Sequence, residues 1–359
     1  MIDVTALHDA HIQCGAKMGE FAGYNMPLYY GLGVKKEHEW VRENTGLFDV
    51  SHMGQVHIKG VGAQDFLEKL TPSSYTKQGI NRAKYTVLTN ENGGIIDDLM
   101  VTKTDEDEFH CVINAGCKGK DIAWIKENLP EGLEFKHYDD WALLALQGPK
   151  AESVIKDVLD IDLSDLPYMA LWYQDYTMFI SRLGYTGEDG FEISVSNADV
   201  PALWEKLLAH DDVKPIGLAA RDSLRLEMGY CLYGHDIDAT TSPLEADLGW
   251  VMGKDNTTFI GVDKIHHPPT KKRVGIELTG KGIAREGAEI RNAQGEKIGE
   301  LTSGGFSPSL SKAIGQGYVP MEYAAKDTEI LINIRGKDVE AKVTVMPFLP
   351  AKTKSMKSK

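Results

Sequence analysis

The sequence predicts an α+β fold that closes on a small antiparallel β domain, and two patterns point to it. Up to about residue 265, strands and helices mix without the strand–helix–strand cycle of a parallel doubly wound sheet. Beyond residue 272, short alternating segments separated by glycine-bearing turns replace helical patterning. The run His266-His267-Pro268-Pro269-Thr270-Lys271-Lys272-Arg273 carries two prolines and no apolar periodicity, so it reads as the linker between the two regions.

The elements follow in order. Gln55 to Gly60 alternates as a strand, and Ala63 to Leu70 places Phe66, Leu67 and Leu70 at helical spacing. Tyr85–Thr89 and Ile95–Val101 flank Asn90–Gly94, which reads as a β-hairpin with its tip near Gly93. Phe109–Asn114 is a further strand and Lys118–Asn128 a helix. Val274–Leu278, Ile330–Ile334 and Val339–Val343 alternate strictly, predicting a barrel or sandwich over roughly 272–350. The basic stretch 351–359 is expected to be an unstructured tail.

Composition narrows the function. At roughly 150 residues per domain, 359 residues hold two or three domains. The chain has 39 Lys+Arg against 53 Asp+Glu, a net charge of −14, which disfavours general nucleic-acid binding. No apolar run reaches the ~20 residues of a membrane span. Neither a secretory nor a transit-peptide pattern opens the chain. Cys14, Cys111, Cys117 and Cys231 form no C-x-x-C, which fits a reducing compartment. The expectation is a cytoplasmic protein, or a mitochondrial matrix protein in processed form.

Several chemistries lack their motifs. No G-x-x-G continuation follows the G-x-G pairs, so a built-in NAD or FAD fold is not expected. No phosphate-binding loop, zinc-protease motif or serine-hydrolase elbow occurs. His8 and His11 form an H-x-x-H too small for a metal site, and no metal is expected. His52 beside Asp49 and Ser51 invites comparison with a triad, but a satisfied structural histidine is the simpler reading.

Three segments could carry chemistry. In Gly93–Val101, an extended chain sends Asp97 and Asp98 to opposite faces, so one carboxylate would be desolvated and suited to proton transfer. Taken alone, the pair reads more simply as solvated turn residues. In Leu183–Val195, a Gly-rich turn feeds a strand whose Glu192 and Ser194 share the polar face; Glu192 could grip an N–H-rich ligand or simply face water. In Gly217–Gly234, a helix puts Arg221 and Arg225 at i,i+4, where Asp222, Glu227 or Glu192 could balance them as an internal ion-pair cluster or a ligand site.

Together these segments resemble the T protein of the glycine cleavage system, the aminomethyltransferase family. The likeness extends to Phe48–Met53, Asn114-Ala115-Gly116, Ala145–Pro149, Leu232-Tyr233-Gly234, Ser307–Leu310 and Gly317–Pro320, and runs from about Leu7 to Pro350. It implies a three-domain cloverleaf around a central folate channel. The implied division is a discontinuous folate-binding domain at 1–53 and 142–265, an inserted α+β domain at 54–141, and the C-terminal barrel at 272–350. The implied reaction passes the methylene of the aminomethyl-lipoyl arm of H protein to tetrahydrofolate as co-substrate, without flavin, NAD or metal. By the same resemblance Asp98 is the catalytic residue, Glu192 and Arg221 bind folate, and Met53, Asn114, Tyr185 and Tyr233 line the pocket. A monomer that meets lipoylated H protein transiently is implied too.

One departure stands out. Some family members carry a folate-contacting tyrosine soon after the segment matching Met346–Pro350, but here Ala351-Lys352-Thr353-Lys354 follows. A tail lysine could instead meet the anionic glutamate moiety of folate.

Overall fold

The computed structural model describes residues 2–354. Its centre is an eleven-stranded mixed sheet. The first section runs, in spatial order, through Val213–Pro215, Thr45–Asp49, Trp141–Gln147, Gly190–Ser196, Met178–Arg182 and Ala170–Gln174. The second continues through Arg82–Thr89, Ile95–Asp105, Glu108–Ile113, Gly54–Lys59 and Glu134–His137. Between the sections only Ala170 and Arg82 pair in register, whereas Gly190–Ser196 pairs along its whole length with Trp141–Gln147.

Each section has its own core. Leu47, Leu144, Leu146, Phe191, Ile193 and Trp204 pack beneath the first, against the helices Ala151–Leu159 and Val200–Leu208. Val56, Ile58, Phe66, Leu67, Phe109 and Ile125 fill the second, under the helices Ala63–Leu70 and Lys118–Asn128. The alternating strands that sequence periodicity predicts are all present, with Phe66, Leu67 and Leu70 on the buried side of their helix as expected. The strand Gly190–Ser196 differs from expectation: its polar face is not solvated. Glu192 and Ser194 are both buried, and Ser194 hydrogen-bonds the Gln55 side chain of the second section.

Lys271–Leu278, Lys312–Pro320, Lys297–Ser307, Glu289–Arg291, Glu329–Ile334 and Lys337–Thr344 close into a six-stranded barrel in that order. The expected linker is therefore shorter than its charge run suggests. Lys271, Lys272 and Arg273 pair with Pro320, Val319 and Tyr318 as strand residues. Arg273 is buried, donating to the carbonyls of Ala246 and Gly229 and to the Gln316 amide oxygen. A guanidinium with this many fixed acceptors can leave water, which a linker reading of the charge run did not anticipate.

Candidate active site

The hairpin places the first carboxylates. Its tip is set by Asn90, whose side-chain oxygen accepts from the N–H of Asn92 and of Gly94. Gly93 adopts φ 78°, and a Cβ on Gly94 would lie 1.9 Å from the Ala239 carbonyl oxygen, so both positions demand glycine. This tip fixes a register in which Val87 faces Asp98 and Tyr85 faces Met100. Tyr85 and Asp98 are then diagonal neighbours on one face, close enough for the Tyr85 hydroxyl to donate to Asp98 Oδ2 at 2.9 Å.

Both members of the acidic pair are buried, Asp97 at 0 % and Asp98 at 8 % exposure, so the solvated-turn reading is wrong. The long strand Ile95–Asp105 carries them inward, covered by neighbours that the local sequence does not reveal. Asn114, at the end of the adjacent strand, ties them together. Its Nδ2 donates to Asp98 Oδ1 at 2.8 Å and to Asp97 Oδ1 at 3.0 Å, and its backbone N–H donates to Asp97 Oδ2 at 3.1 Å. Burial, reinforced by the Asp97 charge, pushes the Asp98 carboxyl up to about 7, while the Tyr85 and Asn114 hydrogen bonds pull the other way. Such a group can both accept and return a proton near neutral pH.

The arginine pair splits. Arg225 is an internal tether: it meets Asp236 Oδ2 at 2.7 Å, Asp222 Oδ1 and the Ser303 hydroxyl, joining the helix Leu218–Glu227 to the barrel. Glu227 is also taken, by Arg42, His38, Ser307 and Ser309. Arg221 has none of these partners. Its guanidinium carbon lies 4.8 Å from the centre of the Tyr185 ring, and its enclosed Nη1 has no hydrogen-bond partner among the described residues. Glu192 is buried nearby and accepts no hydrogen bond from a described residue. Burial raises its pKa and the Arg221 charge lowers it. A buried carboxylate and a half-buried guanidinium without hydrogen-bond partners among the described residues are costly unless a ligand supplies them.

The remaining expected residues sit on separate elements with their own partners. Tyr185 stacks on Tyr230 with ring centres 5.6 Å apart and donates its hydroxyl to the Cys231 carbonyl. Tyr233 receives the Lys120 amine at 2.9 Å on its hydroxyl, and that amine also lies over its ring. Met53 is half-buried against the apolar cluster that contains Phe48, Val50 and Leu143. Sequence reasoning does not single out Tyr85 or the exposed Trp250 stacked upon it at 5.6 Å. The hairpin register was the signal that could have found Tyr85.

Other histidine readings do not hold. Asp49 accepts from His11, Thr5 and the Ser51 N–H, with no bond to His52. His52 is buried, its Nδ1 lacks a partner among the described residues, and burial pushes its pKa down to about 4, so it is neither a triad base nor a satisfied structural histidine. His11 engages Asp49 through Nε2 and Tyr30 through Nδ1, leaving neither nitrogen for a metal shared with His8. The tail lysines are also engaged, Lys352 with Glu188 at 3.0 Å and Lys354 with Glu152 at 2.7 Å. Residues 355–359 of the expected tail lie outside the described residues.

Comparison with known proteins decides the family. Residues 7–256 match the GCVT N-terminal domain, and residues 271–349 match the glycine cleavage T-protein C-terminal barrel domain. The chain belongs to the glycine cleavage T-protein family. Curated aminomethyltransferases of Chloroherpeton thalassium and Flavobacterium psychrophilum are each 43 % identical to it, over 96 % of this chain and 98 % of theirs. The crystal structure of glycine cleavage system aminomethyltransferase T from Bartonella henselae superposes with a TM-score of 0.95 at 38 % identity, covering 99 % of this chain and all of that one. As a T-protein family member the chain is an enzyme of the transferase class. No described helix is long and apolar enough to cross a membrane.

Proposed function

We propose that this T-protein family member transfers the methylene of an aminomethyl-lipoyl arm carried by H protein to tetrahydrofolate. The products are 5,10-methylenetetrahydrofolate, ammonia and the dihydrolipoyl arm. One observation carries the reading: Asp98 is a buried carboxylate whose pKa is raised toward neutrality, and Tyr185 lies within electrostatic reach of both Asp98 and Arg221, which, like Glu192, has no hydrogen-bond partner among the described residues. Glu192 would accept from the N–H edge of the pterin, and Arg221 would keep Glu192 ionised while bordering the folate. That would turn the folate nitrogens toward Asp98, with Met53, Asn114, Tyr185 and Tyr233 proposed to line the space.

The chemistry needs little more. A folate nitrogen attacks the arm's methylene and ammonia leaves; the second nitrogen then closes the ring and expels the lipoyl sulfur as thiol. Each folate nitrogen loses a proton, and an ionised Asp98 can take one and pass it to the departing group. Its charge also stabilises the cationic, iminium-like carbon formed on the way. Holding folate and arm together while excluding water supplies the rest of the acceleration. The discontinuous unit 1–53 plus 142–265 would contribute Glu192 and Arg221, and the inserted unit 54–141 would contribute Asp98. We take the enzyme to act as a monomer in the cytoplasm. The test is formation of methylenetetrahydrofolate from aminomethylated H protein and tetrahydrofolate; absence of product with competent H protein overturns the proposal.

A further inference from the structure

Behind Asp98 lies a second buried acidic group that the mechanism above does not use. Asp97, Cys117 and Asp121 bring a carboxylate oxygen, the thiol sulfur and a carboxylate oxygen all within 4.8 Å of one another. Asp121 sits in the first turn of the helix Lys118–Asn128, is 0 % exposed, and neither of its oxygens has a hydrogen-bond partner among the described residues. The nearest cation is directed elsewhere: Lys120 donates to the Ile96 carbonyl and to the Tyr233 hydroxyl. As a carboxylate, Asp121 would be a second bare charge, fully desolvated, beside the Asp97 carboxylate. As an acid it gains a donor, and Asp97 is the acceptor beside it.

Asp97 is well prepared to be that acceptor. Its two oxygens already receive the Asn114 N–H and the Asn114 side-chain amide. The Cys117 thiol and an Asp121 hydroxyl bring the donors to about four, the number a carboxylate can accommodate. Asn114 in turn holds Asp98 Oδ1 with the same amide group that holds Asp97. The orientation of Asp98 therefore depends on Asp97 staying in place.

We propose that Asp121 is a positioning residue for Asp98: it holds a proton against Asp97, so that the two buried carboxyls share one negative charge and anchor Asn114 against the reacting carboxylate. This rests on the reading of Asp98 as the group that meets the substrate. Directions of titration agree, since burial and the Asp97 charge raise the Asp121 carboxyl well above the usual carboxylate range. The charged or titratable groups facing the pair are Asp98 on the same strand as Asp97, Cys117 and Lys120 from the 3₁₀ turn and helix, and Tyr233 from the loop across it. Burial, together with the Asp97 charge, also raises the Cys117 thiol, so it stays protonated and acts as a donor.

The test compares Asp121→Asn with Asp121→Ala. An Asn amide donates as the acid does and carries no charge, so D121N should restore most of what D121A loses and leave the acidic limb of the kcat–pH profile where it was. D121A should lower kcat about 10- to 100-fold with folate Kd little changed. An ionised wild-type Asp121 gives the opposite sign: D121N would then remove a negative charge and move the acidic limb about one unit or more to lower pH, overturning the proposal. So would D121A turnover equal to wild type. Infrared difference spectra of folded wild type minus D121N, at neutral pH without substrate, should show the carbonyl stretch of a protonated carboxylic acid, and its absence overturns the shared proton whatever the activity. A stoichiometric divalent metal lost in both variants would overturn it as well. The spectrum is independent of turnover, so an inactive wild type would count against the proposed reaction and not against this pair.

Discussion

The Tyr85 hydroxyl donates to Asp98 Oδ2 at 2.9 Å, from the strand paired with the one that carries Asp98. A donor to a carboxylate favours its ionised form, so this bond opposes the burial that raises Asp98. Tyr85→Phe should therefore move the acidic limb of the kcat profile to higher pH and lower kcat near neutrality about tenfold. A pH–rate profile checks both effects.

Asp98→Asn should cut kcat by about 10²- to 10⁴-fold while folate Kd changes little. The same variant carries a stability signature. The folded Asp98 pKa is about 7, above the ordinary 3.8, so its protonated form favours the folded state and that contribution is lost as pH rises through 7. D98N escapes this loss. Thermal melts should show it gaining stability over wild type at pH 8 and much less at pH 5.

Glu192→Gln should weaken folate binding about 10- to 100-fold with a smaller effect on kcat, read by calorimetry and steady-state kinetics. Arg221→Met leaves Glu192 but removes the charge that lowers its pKa. Folate affinity in R221M should then begin to fall at a higher pH than in wild type as the pH is lowered.

Ending the chain after Ala351 removes one lysine partner each from Glu188 and Glu152 but no group that the site requires. Folate Kd should stay within about twofold, because ion pairs to such solvent-reaching lysines contribute little and Glu188 keeps Arg42 while Glu152 keeps Arg182. A larger change would return a tail lysine to the folate site.

Arg225→Met should destabilise the protein by about 3 kcal/mol, because Asp236 would remain buried without its cation. Urea unfolding measures the loss.

Local periodicity made much of this molecule legible. The hairpin at Asn90–Gly94 and the barrel strands follow from alternation and turn residues, which are properties of neighbours in the chain. Burial of Asp98 was not legible, since its cover comes from Tyr85, Asn114 and the acidic partner Asp97 arranged by the sheet. Arg221 and Arg225 share a helix and a residue type; only the packed barrel, through Ser303 and Asp236, separates the tether from the free guanidinium. Resemblance singled out Arg221 where periodicity could not. Neither route found Asp121, because its significance lies in lacking a partner.

The order of strands in the large sheet sets a timetable for synthesis. Gly46 pairs with Gln147, and Thr45 with Val213. The second section takes its strands from Gly54 to His137 and can close first. At 5–20 residues per second, the Thr45–Asp49 strand waits roughly 5–20 s on the ribosome before its antiparallel neighbour emerges. During that interval its edge is unpaired and fully apolar at Leu47 and Phe48. Codon choice and chaperone supply between residues 50 and 147 should therefore influence the yield of soluble enzyme.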